Sequence, residues 1–142
     1  MIALDTNLLV YAHRVRVREH RGARAAVEAL ASSPAQWGLP WPVAHEFVRV
    51  VTGRRDDSTP LAAALGSIER LLATAGCVAL AEGRGYWGRV SDLAVRGDAA
   101  GTLFYDARIA AICLEHGVRE LWSADRDFGR FPELRVRNPL VG

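Results

Sequence analysis

The sequence predicts a single α/β domain in which helices pack around a parallel central sheet. Short apolar runs alternate with longer segments whose apolar residues recur every three or four positions, a pattern typical of consecutive β–α units. A chain of 142 residues, half of them hydrophobic, is long enough to bury one core and short for two ordinary domains. We therefore expect one domain over residues 1–142.

The first β–α unit opens the chain. The apolar run Ile2–Leu4 predicts a buried strand, and it is followed by three residues that favour turns and helix starts, Asp5, Thr6 and Asn7. A helical pattern then extends from Leu8 to about position 33. Between its two apolar stretches lies a segment with five arginines and one glutamate, which predicts an interruption of the helix.

Further β–α units follow, bounded by proline and glycine residues that start or stop helices. Strands are predicted at Gln36–Leu39, Cys77–Leu80, Glu120–Trp122 and, as an edge strand, Arg135–Arg137. Helices are predicted from Pro42 to the stop at Gly53, and over Leu61–Ala75, Tyr86–Arg96 and Leu103–His116. Loops are predicted over Arg54–Pro60, Gly97–Gly101 and Ser123–Leu134.

The charge balance excludes few classes of protein. All 18 basic residues are arginine, against 16 acidic residues, and the net charge of +2 is too small to indicate nucleic-acid binding by itself. Genomic base composition explains the missing lysine, and so does a preference for guanidinium groups that bind phosphate through two hydrogen bonds. The composition leaves both explanations open.

Cysteine usage and the N-terminal residues indicate a cytoplasmic protein. Cys77 and Cys113 form neither a CxxC motif nor a disulfide framework, so we expect two small hydrophobic side chains in a reducing compartment. The N-terminal stretch lacks the basic region of a signal peptide and carries Asp5. No apolar stretch approaches the roughly 20 residues that cross a bilayer.

Four acidic residues are expected at one edge of the sheet, because the carboxyl ends of parallel strands lie together. Asp5 ends the first strand and Asp125 follows the strand Glu120–Trp122, while Glu46 and Asp106 lie near the starts of two helices. Four carboxylates in one cleft repel each other unless a cation binds them. Mg²⁺ prefers oxygen ligands and promotes phosphodiester hydrolysis, which makes this reaction the leading hypothesis.

Each acid also has an ordinary structural interpretation. Asp5 could cap the helix that follows it, and Asp106 could complement a helix dipole. Glu46 could lie on a solvated helix face, while Asp125 and Asp127 could simply keep a loop soluble. The spacing of these residues along the chain does not decide between the two interpretations.

Four motifs occur in order along the chain: DTN at Asp5–Asn7, HEF at His45–Phe47, YDARIAAICLEHGV at Tyr105–Val118 and LWSADRDFGRF at Leu121–Phe131. These motifs resemble those of the PIN-domain ribonucleases, in particular the VapC toxins of VapBC toxin–antitoxin systems. The resemblance runs nearly end to end, as far as the RNPL at Arg137–Leu140. It implies a Rossmann-like PIN fold, a homodimer, dependence on Mg²⁺ or Mn²⁺, RNA cleavage and inhibition by a VapB-like antitoxin.

The resemblance also implies roles for individual residues. The positions that match the family's catalytic and metal-binding acids are Asp5, Glu46, Asp106 and Asp125. Small polar residues beside the metal, which would orient carboxylates or water, are Thr6, Asn7 and Ser123. Asp127 matches a frequent fifth acid, whereas Asp98 matches no motif position and is interpreted as a loop residue.

The residues that contact RNA are less clearly indicated than the acidic residues. The arginine-rich segment, with Arg14, Arg16 and Arg18 at its start, could be a solvated face, an RNA-binding surface or an antitoxin-docking surface. Trp41, which lies between two prolines, is the best candidate among the tryptophans for stacking on a base, although core packing is their commoner role. A zinc site at His45 is disfavoured because no second histidine or cysteine stands at ligand spacing.

Two alternatives to a toxin ribonuclease remain at this stage, and a third is disfavoured. The chain could be a PIN-type nuclease that is not a toxin, or a nucleic-acid-binding module that has lost catalysis. A phosphohydrolase of the haloacid dehalogenase type would need a second aspartate where Asn7 stands. Both tRNA and rRNA are compatible substrates under the resemblance.

Overall fold

The computed structural model describes residues 1–141 and contains a five-stranded parallel sheet with helices around it, as the sequence predicts. The strands lie in the order β3-β2-β1-β4-β5 across the sheet. Their bounds are β1 Ile2–Leu4, β2 Trp37–Pro40, β3 Cys77–Leu80, β4 Glu120–Trp122 and β5 Val136–Arg137. The predicted edge strand is therefore present, paired with β4.

Six α-helices connect these strands within residues 1–141. Their bounds are α1 Thr6–His13, α2 His20–Ala31, α3 Trp41–Thr52, α4 Leu61–Leu72, α5 Tyr86–Arg96 and α6 Leu103–Glu115. A short 3₁₀ helix, Arg126–Arg130, lies between β4 and β5 inside the segment that the sequence predicted as a loop. In the described part of the chain, no helix is both long and apolar enough to span a membrane.

The interruption between α1 and α2 falls where the arginines cluster. Residues 15–19 form turns, and Val15 is 73% exposed. A short helix in water depends on burying an apolar face, and alternating valine and arginine offers none. The predicted interruption is confirmed, although α1 begins at Thr6 rather than Leu8.

The core lies on both sides of β1 and along α6. Ala3 and Leu4 of β1 are fully buried, as are Ile112 and Cys113 of α6. Burial raises the pKa of the Cys113 thiol to about 12, so this cysteine is an inert core residue, as expected. Cys77 is partly buried at the start of β3.

The sheet topology brings distant parts of the sequence to one edge. In the registered pairs of β1 and β4, Leu4 lies beside Trp122, so both strands end at the same level. The neighbouring strand β2 leads directly into α3 at Trp41. Residues that follow β1 and β4, and those in the first turns of α3, therefore meet at the carboxyl edge of the sheet.

Candidate active site

A buried carboxylate follows β1 directly. Asp5 is 5% exposed, and its Oδ2 accepts a hydrogen bond of 2.6 Å from the hydroxyl of Ser123, which follows β4. The backbone N–H of Asp5 donates to the carbonyl of Trp122 at 3.0 Å. The pairing of β1 with β4 thus continues by one residue and fixes the Asp5 carboxylate against Ser123.

The hydroxyl of Ser123 connects the two strand ends. Besides donating to Asp5, it accepts hydrogen bonds from the backbone N–H of Asp125 at 3.0 Å and the side-chain amide of Asn7 at 3.4 Å. The Asn7 Oδ1 in turn accepts from the backbone N–H of Ala124 at 3.2 Å. Two residues that the family resemblance places in supporting positions, Asn7 and Ser123, therefore hold the backbone around the acids.

Three aspartates converge on the open side of this network. Asp106, Asp125 and Asp127 each offer a carboxylate oxygen, and these atoms lie within 4.8 Å of one another. The Asp125 Oδ1 also accepts a hydrogen bond of 2.8 Å from the backbone N–H of Asp127. Asp125 thereby caps the N-terminus of the 3₁₀ helix. Asp127, which matches the family's fifth acid, thus lies within the same 4.8 Å of Asp106 and Asp125.

A cleft of about 260 Å³ joins these groups. Its walls contain the four acids singled out from the sequence, Asp5, Glu46, Asp106 and Asp125, together with Thr6 and Asn7. Glu46 reaches it from the second turn of α3 and is partly buried, whereas Asp127 is exposed and is not among the wall residues. The fold therefore brings all four acids to one cavity, although they come from separate segments of the chain.

Burial and mutual repulsion shift the pKa values of two of the acids. Burial, together with the charges of Asp125 and Glu46, raises the pKa of Asp5 to about 6 in spite of the Ser123 hydrogen bond. Burial and the charges of several acidic neighbours, of which Asp125 contributes most, raise the pKa of Asp106 to about 7. No arginine forms an ion pair with either carboxylate within residues 1–141. The cleft holds more negative charge than the described residues balance.

The residues of the cleft fit a hard divalent cation. All the converging side chains supply carboxylate oxygens, which suits Mg²⁺ or Mn²⁺ and not a soft metal. The Thr6 Oγ1 is buried and, among the residues described, has no hydrogen-bond partner, although its side chain lines the cleft. A buried hydroxyl without a partner is rare and calls for a ligand or an ordered water in this space.

The structure also bears on the ordinary interpretations of these acids. Asp5 occupies the position before α1, but its side chain makes no capping hydrogen bond and turns to Ser123 instead. Asp106 does lie in the first turn of α6, so a favourable dipole interaction coexists with its place in the cleft. Asp98 lies in the loop after α5, as expected, with a positive φ of 49°.

The predicted RNA-binding residues divide into two groups. Arg14 is turned inward, where its Nη2 donates to the Val50 carbonyl at 3.2 Å and its Nε lies 3.6 Å from Asp57. Arg16 and Arg18 are exposed in the turns after α1. Trp41 is partly buried and stacks on His45, with ring centroids 6.4 Å apart and planes at 17°.

A second cavity that sequence reasoning missed adjoins the cleft. It has a volume of about 530 Å³ and lies between α3 and α6, and its walls are Pro42, His45, Glu46, Arg49, Tyr105, Arg108 and Ile109. Tyr105 begins one of the four motifs but has no assigned role there, and Arg49 does not stand out from ordinary surface residues of a helix. The helical spacing from Glu46 to Arg49 is the only sequence signal that could have found the cavity.

Comparison with known proteins places the chain in a family. The family model described as "PIN domain" matches residues 2–134. Ribonuclease VapC43 of Mycobacterium tuberculosis is 42% identical over 144 aligned positions, which cover 100% of this chain and 97% of that protein.

Solved structures have the same fold. The chain is similar to Mycobacterium tuberculosis VapC20, described as a "Sarcin-Ricin loop cleaving toxin", with a TM-score of 0.70, 22% identity, and coverage of 95% of this chain and 99% of that one. It is also similar to a chain of VapBC2 from Rickettsia felis bound to promoter DNA, with a TM-score of 0.71, 18% identity, and coverage of 97% and 98%.

Proposed function

This chain belongs to the PIN-domain family, and we propose that it is the toxin of a toxin–antitoxin pair, a divalent-metal-dependent endoribonuclease. The observation that carries the proposal is the cleft at the carboxyl edge of the sheet, where Asp5, Glu46, Asp106 and Asp125 line one cavity. Full-length identity of 42% to a protein named as a VapC ribonuclease supports the same activity.

The acids would hold the cation, as proposed from the motifs and now from their shared cavity. Asp5, Asp106 and Asp125 are the proposed ligands, with Glu46 on the facing helix and Asp127 as a further carboxylate within reach of Asp106 and Asp125. A bound Mg²⁺ or Mn²⁺ supplies positive charge that neutralises these acids and stabilises the charge that develops during phosphodiester hydrolysis.

The chain's own groups position the reaction. Ser123 fixes one oxygen of Asp5 and the backbone of Asp125, so these two carboxylates keep their relative placement when RNA enters. An ionised Asp106 or Asp125 accepts a hydrogen bond from the attacking water and orients it toward phosphorus. The proposed products carry a 5′-phosphate and a 3′-hydroxyl.

The proposed partners follow from the relatives. VapBC2 of Rickettsia felis was solved as a VapBC assembly on promoter DNA, which supports a VapB-like antitoxin as the partner that neutralises this chain. The relative described as a sarcin-ricin loop cleaving toxin supports structured RNA as the substrate class, with rRNA and tRNA both candidates. The homodimer stays a prediction, because a single copy of the chain is described.

Cleavage of RNA by the purified chain tests the activity. We expect total RNA to be cut in buffer with Mg²⁺ or Mn²⁺ and to stay intact in chelator. Asp5→Asn keeps the shape of the side chain and removes its charge, so it should abolish cutting. Asp56→Asn makes the same change at an exposed loop position and should cut like the wild type. Equal rates for Asp5→Asn and the wild type would refute the proposed site.

Induction in cells tests the toxin role. Expression of the chain should arrest growth, and mapping of new 5′ ends should locate the cleaved RNA, with Asp5→Asn as the control. If the gene immediately upstream is a small reading frame that encodes the antitoxin, its co-expression should restore growth. Cleavage in vitro without arrest in cells would favour a PIN nuclease that is not a toxin.

A further inference from the structure

We propose that the cavity between α3 and α6 is a nucleotide subsite next to the acidic cleft, where Tyr105 stacks on an unpaired base and Arg49 contacts a phosphate beside the scissile one. The inference deepens the proposed ribonuclease function and rests on it. It requires an unpaired nucleotide, such as one in the loop of a structured RNA, beside the scissile phosphate.

The cavity and the cleft adjoin each other, since Glu46 and Ile109 are wall residues of both. An RNA chain whose scissile phosphate lies among the acids can therefore place its neighbouring nucleotide in the space between α3 and α6. The volume of about 530 Å³ is within the range of about 300–1,000 Å³ that is usual for ligand sites.

The helices that bear two of the acids also build the wall of the cavity. On α3, Arg49 lies three residues after Glu46 and therefore on the same side of the helix. On α6, Tyr105 directly precedes Asp106. The distance between the proposed subsite and the carboxylates is thus set by rigid helices and not by loops.

The charge of Arg49 is available to a ligand. The cleft carries an excess of carboxylates, so a phosphodiester needs a cation nearby to approach it. Arg108 already donates two hydrogen bonds to Glu82, of 2.9 Å and 3.1 Å. Arg49 is exposed, and no ion pair formed by residues 1–141 includes it.

Tyr105 is the aromatic residue that can accept a base. It is 60% exposed at the wall of the cavity, whereas Trp41 is partly buried and stacked on His45. A base within a duplex has no free face, so stacking on Tyr105 requires an unpaired nucleotide. A segment of a protein partner is the other candidate occupant, but the position beside the acidic cleft favours the molecule whose phosphate reacts there.

Binding of a single-stranded oligoribonucleotide tests the subsite. The probe is a labelled oligoribonucleotide of mixed sequence and about 12 nucleotides, measured by fluorescence anisotropy in chelator so that it is not cut. We expect Tyr105→Ala to weaken binding about tenfold and Tyr105→Phe to bind like the wild type, because the ring and not the hydroxyl stacks. The side chains of Tyr105 and of Arg49, whose variant is described next, are both exposed, and thermal unfolding checks that each variant folds.

The role of Arg49 is tested by the salt dependence of RNA binding. Arg49→Gln should weaken binding and lower the slope of log Kd against log salt by about 0.7, the value for one phosphate contact on a single strand. Arg119→Gln makes the same charge change at an exposed position before β4, at the opposite edge of the sheet, and should change neither quantity.

The outcomes separate this inference from the proposed function. Wild-type protein that cleaves RNA while Tyr105→Ala and Arg49→Gln bind and cleave equally well overturns the subsite alone, and favours a protein occupant for the cavity. An equal loss on a fully paired probe would overturn the stacking role. If both variants lose binding but wild-type protein never cleaves with Mg²⁺ or Mn²⁺, the subsite stands and the nuclease proposal fails.

Discussion

The hydroxyl of Ser123 is the residue-scale link between two acids that come from opposite ends of the sequence. It donates to Asp5 and accepts from the backbone of Asp125, so a single oxygen sets the placement of both. Residues that orient a metal ligand commonly change metal affinity or activity by about 10–100-fold when they are replaced.

We therefore expect Ser123→Ala to weaken Mn²⁺ binding and RNA cleavage by about 10–100-fold while the fold persists. Isothermal titration with Mn²⁺ and a cleavage assay measure the two effects. Ser67→Ala removes a hydroxyl of α4 that donates to the Ala63 carbonyl and accepts from Arg70, none of which lines the acidic cleft, and it should leave both unchanged. Wild-type Mn²⁺ affinity in Ser123→Ala would show that the hydroxyl does not orient the ligands.

Asp106 supplies a second residue-scale prediction, on stability without metal. Its pKa of about 7 lies above the usual value for a carboxyl group, so the folded state binds the proton more tightly than the unfolded state. Stability from this group is present at low pH and declines as the pH rises through 7. At pH 8 the ionised carboxylate destabilises the fold, and Asp106→Asn should remove that effect.

Accordingly, Asp106→Asn should melt about 3 °C above the wild type at pH 8 in chelator, which corresponds to about 1 kcal/mol for a half-exposed group. The difference should shrink at pH 5.5, where the wild-type carboxyl is protonated, and the variant should not cleave RNA. Asp56→Asn serves as the control for an exposed acid. A lower melting temperature for Asp106→Asn at pH 8 would contradict the raised pKa.

At the scale of elements, the sequence was most informative where packing and local preference agree. The buried strands and α6 were predicted within two residues at each end, because their apolar runs and glycine or proline stops coincide. The 3₁₀ helix Arg126–Arg130 was missed, since its start depends on the Asp125 side chain accepting from Asp127 and its polar sequence reads as a loop.

The candidate site, too, was predictable only in part. The predicted strand ends and helix starts indicated where the four acids would lie, since parallel strands determine the edge at which these acids meet. The closeness of Asp127 to Asp106 depends on how α6 packs beside the 3₁₀ helix, and the cavity at Tyr105 depends on how α6 lies against α3. Periodicity encodes neither. The arginine-rich segment was similarly ambiguous, and Arg14 is turned inward on the carbonyl of Val50.

Two glycines give an element-scale prediction about the sheet. A Cβ on Gly76 would lie 2.3 Å from the Ala35 carbonyl oxygen, whereas a Cβ on Gly88 in α5 meets nothing within 4 Å. Gly76→Ala should therefore lower the free energy of unfolding by about 2 kcal/mol or more, because backbone must move. Gly88→Ala should raise it by about 0.5–1 kcal/mol, because alanine favours the helix. Urea unfolding measures both, and equal stability in the two variants would contradict the close approach before β3.

At the scale of the whole molecule, a cation in the cleft should stabilise the complete domain, since its ligands come from segments throughout the chain. Binding to the folded state at 100 times Kd adds about 2.7 kcal/mol, or about 5–10 °C in melting temperature. Asp5 and Asp106 must lose protons to bind the ion, and their pKa values of about 6 and 7 set the range.

We thus expect Mn²⁺ to raise the melting temperature strongly at pH 8 and much less at pH 5.5. Differential scanning calorimetry with and without the ion measures the shift, and Asp5→Asn should show little response at either pH. The same increase at both pH values would mean that the ion binds outside the acidic cleft.

The contact between Asp5 and Ser123 spans 118 positions of sequence. A ribosome makes Asp5 long before Ser123, and β4 can pair with β1 only after the segments that carry Glu46 and Asp106 have been made. The growing polypeptide therefore carries an incomplete set of carboxylates until the residues that follow β4 have been added. The acidic cleft cannot form on the ribosome before that point, however early Asp5 and its strand are made.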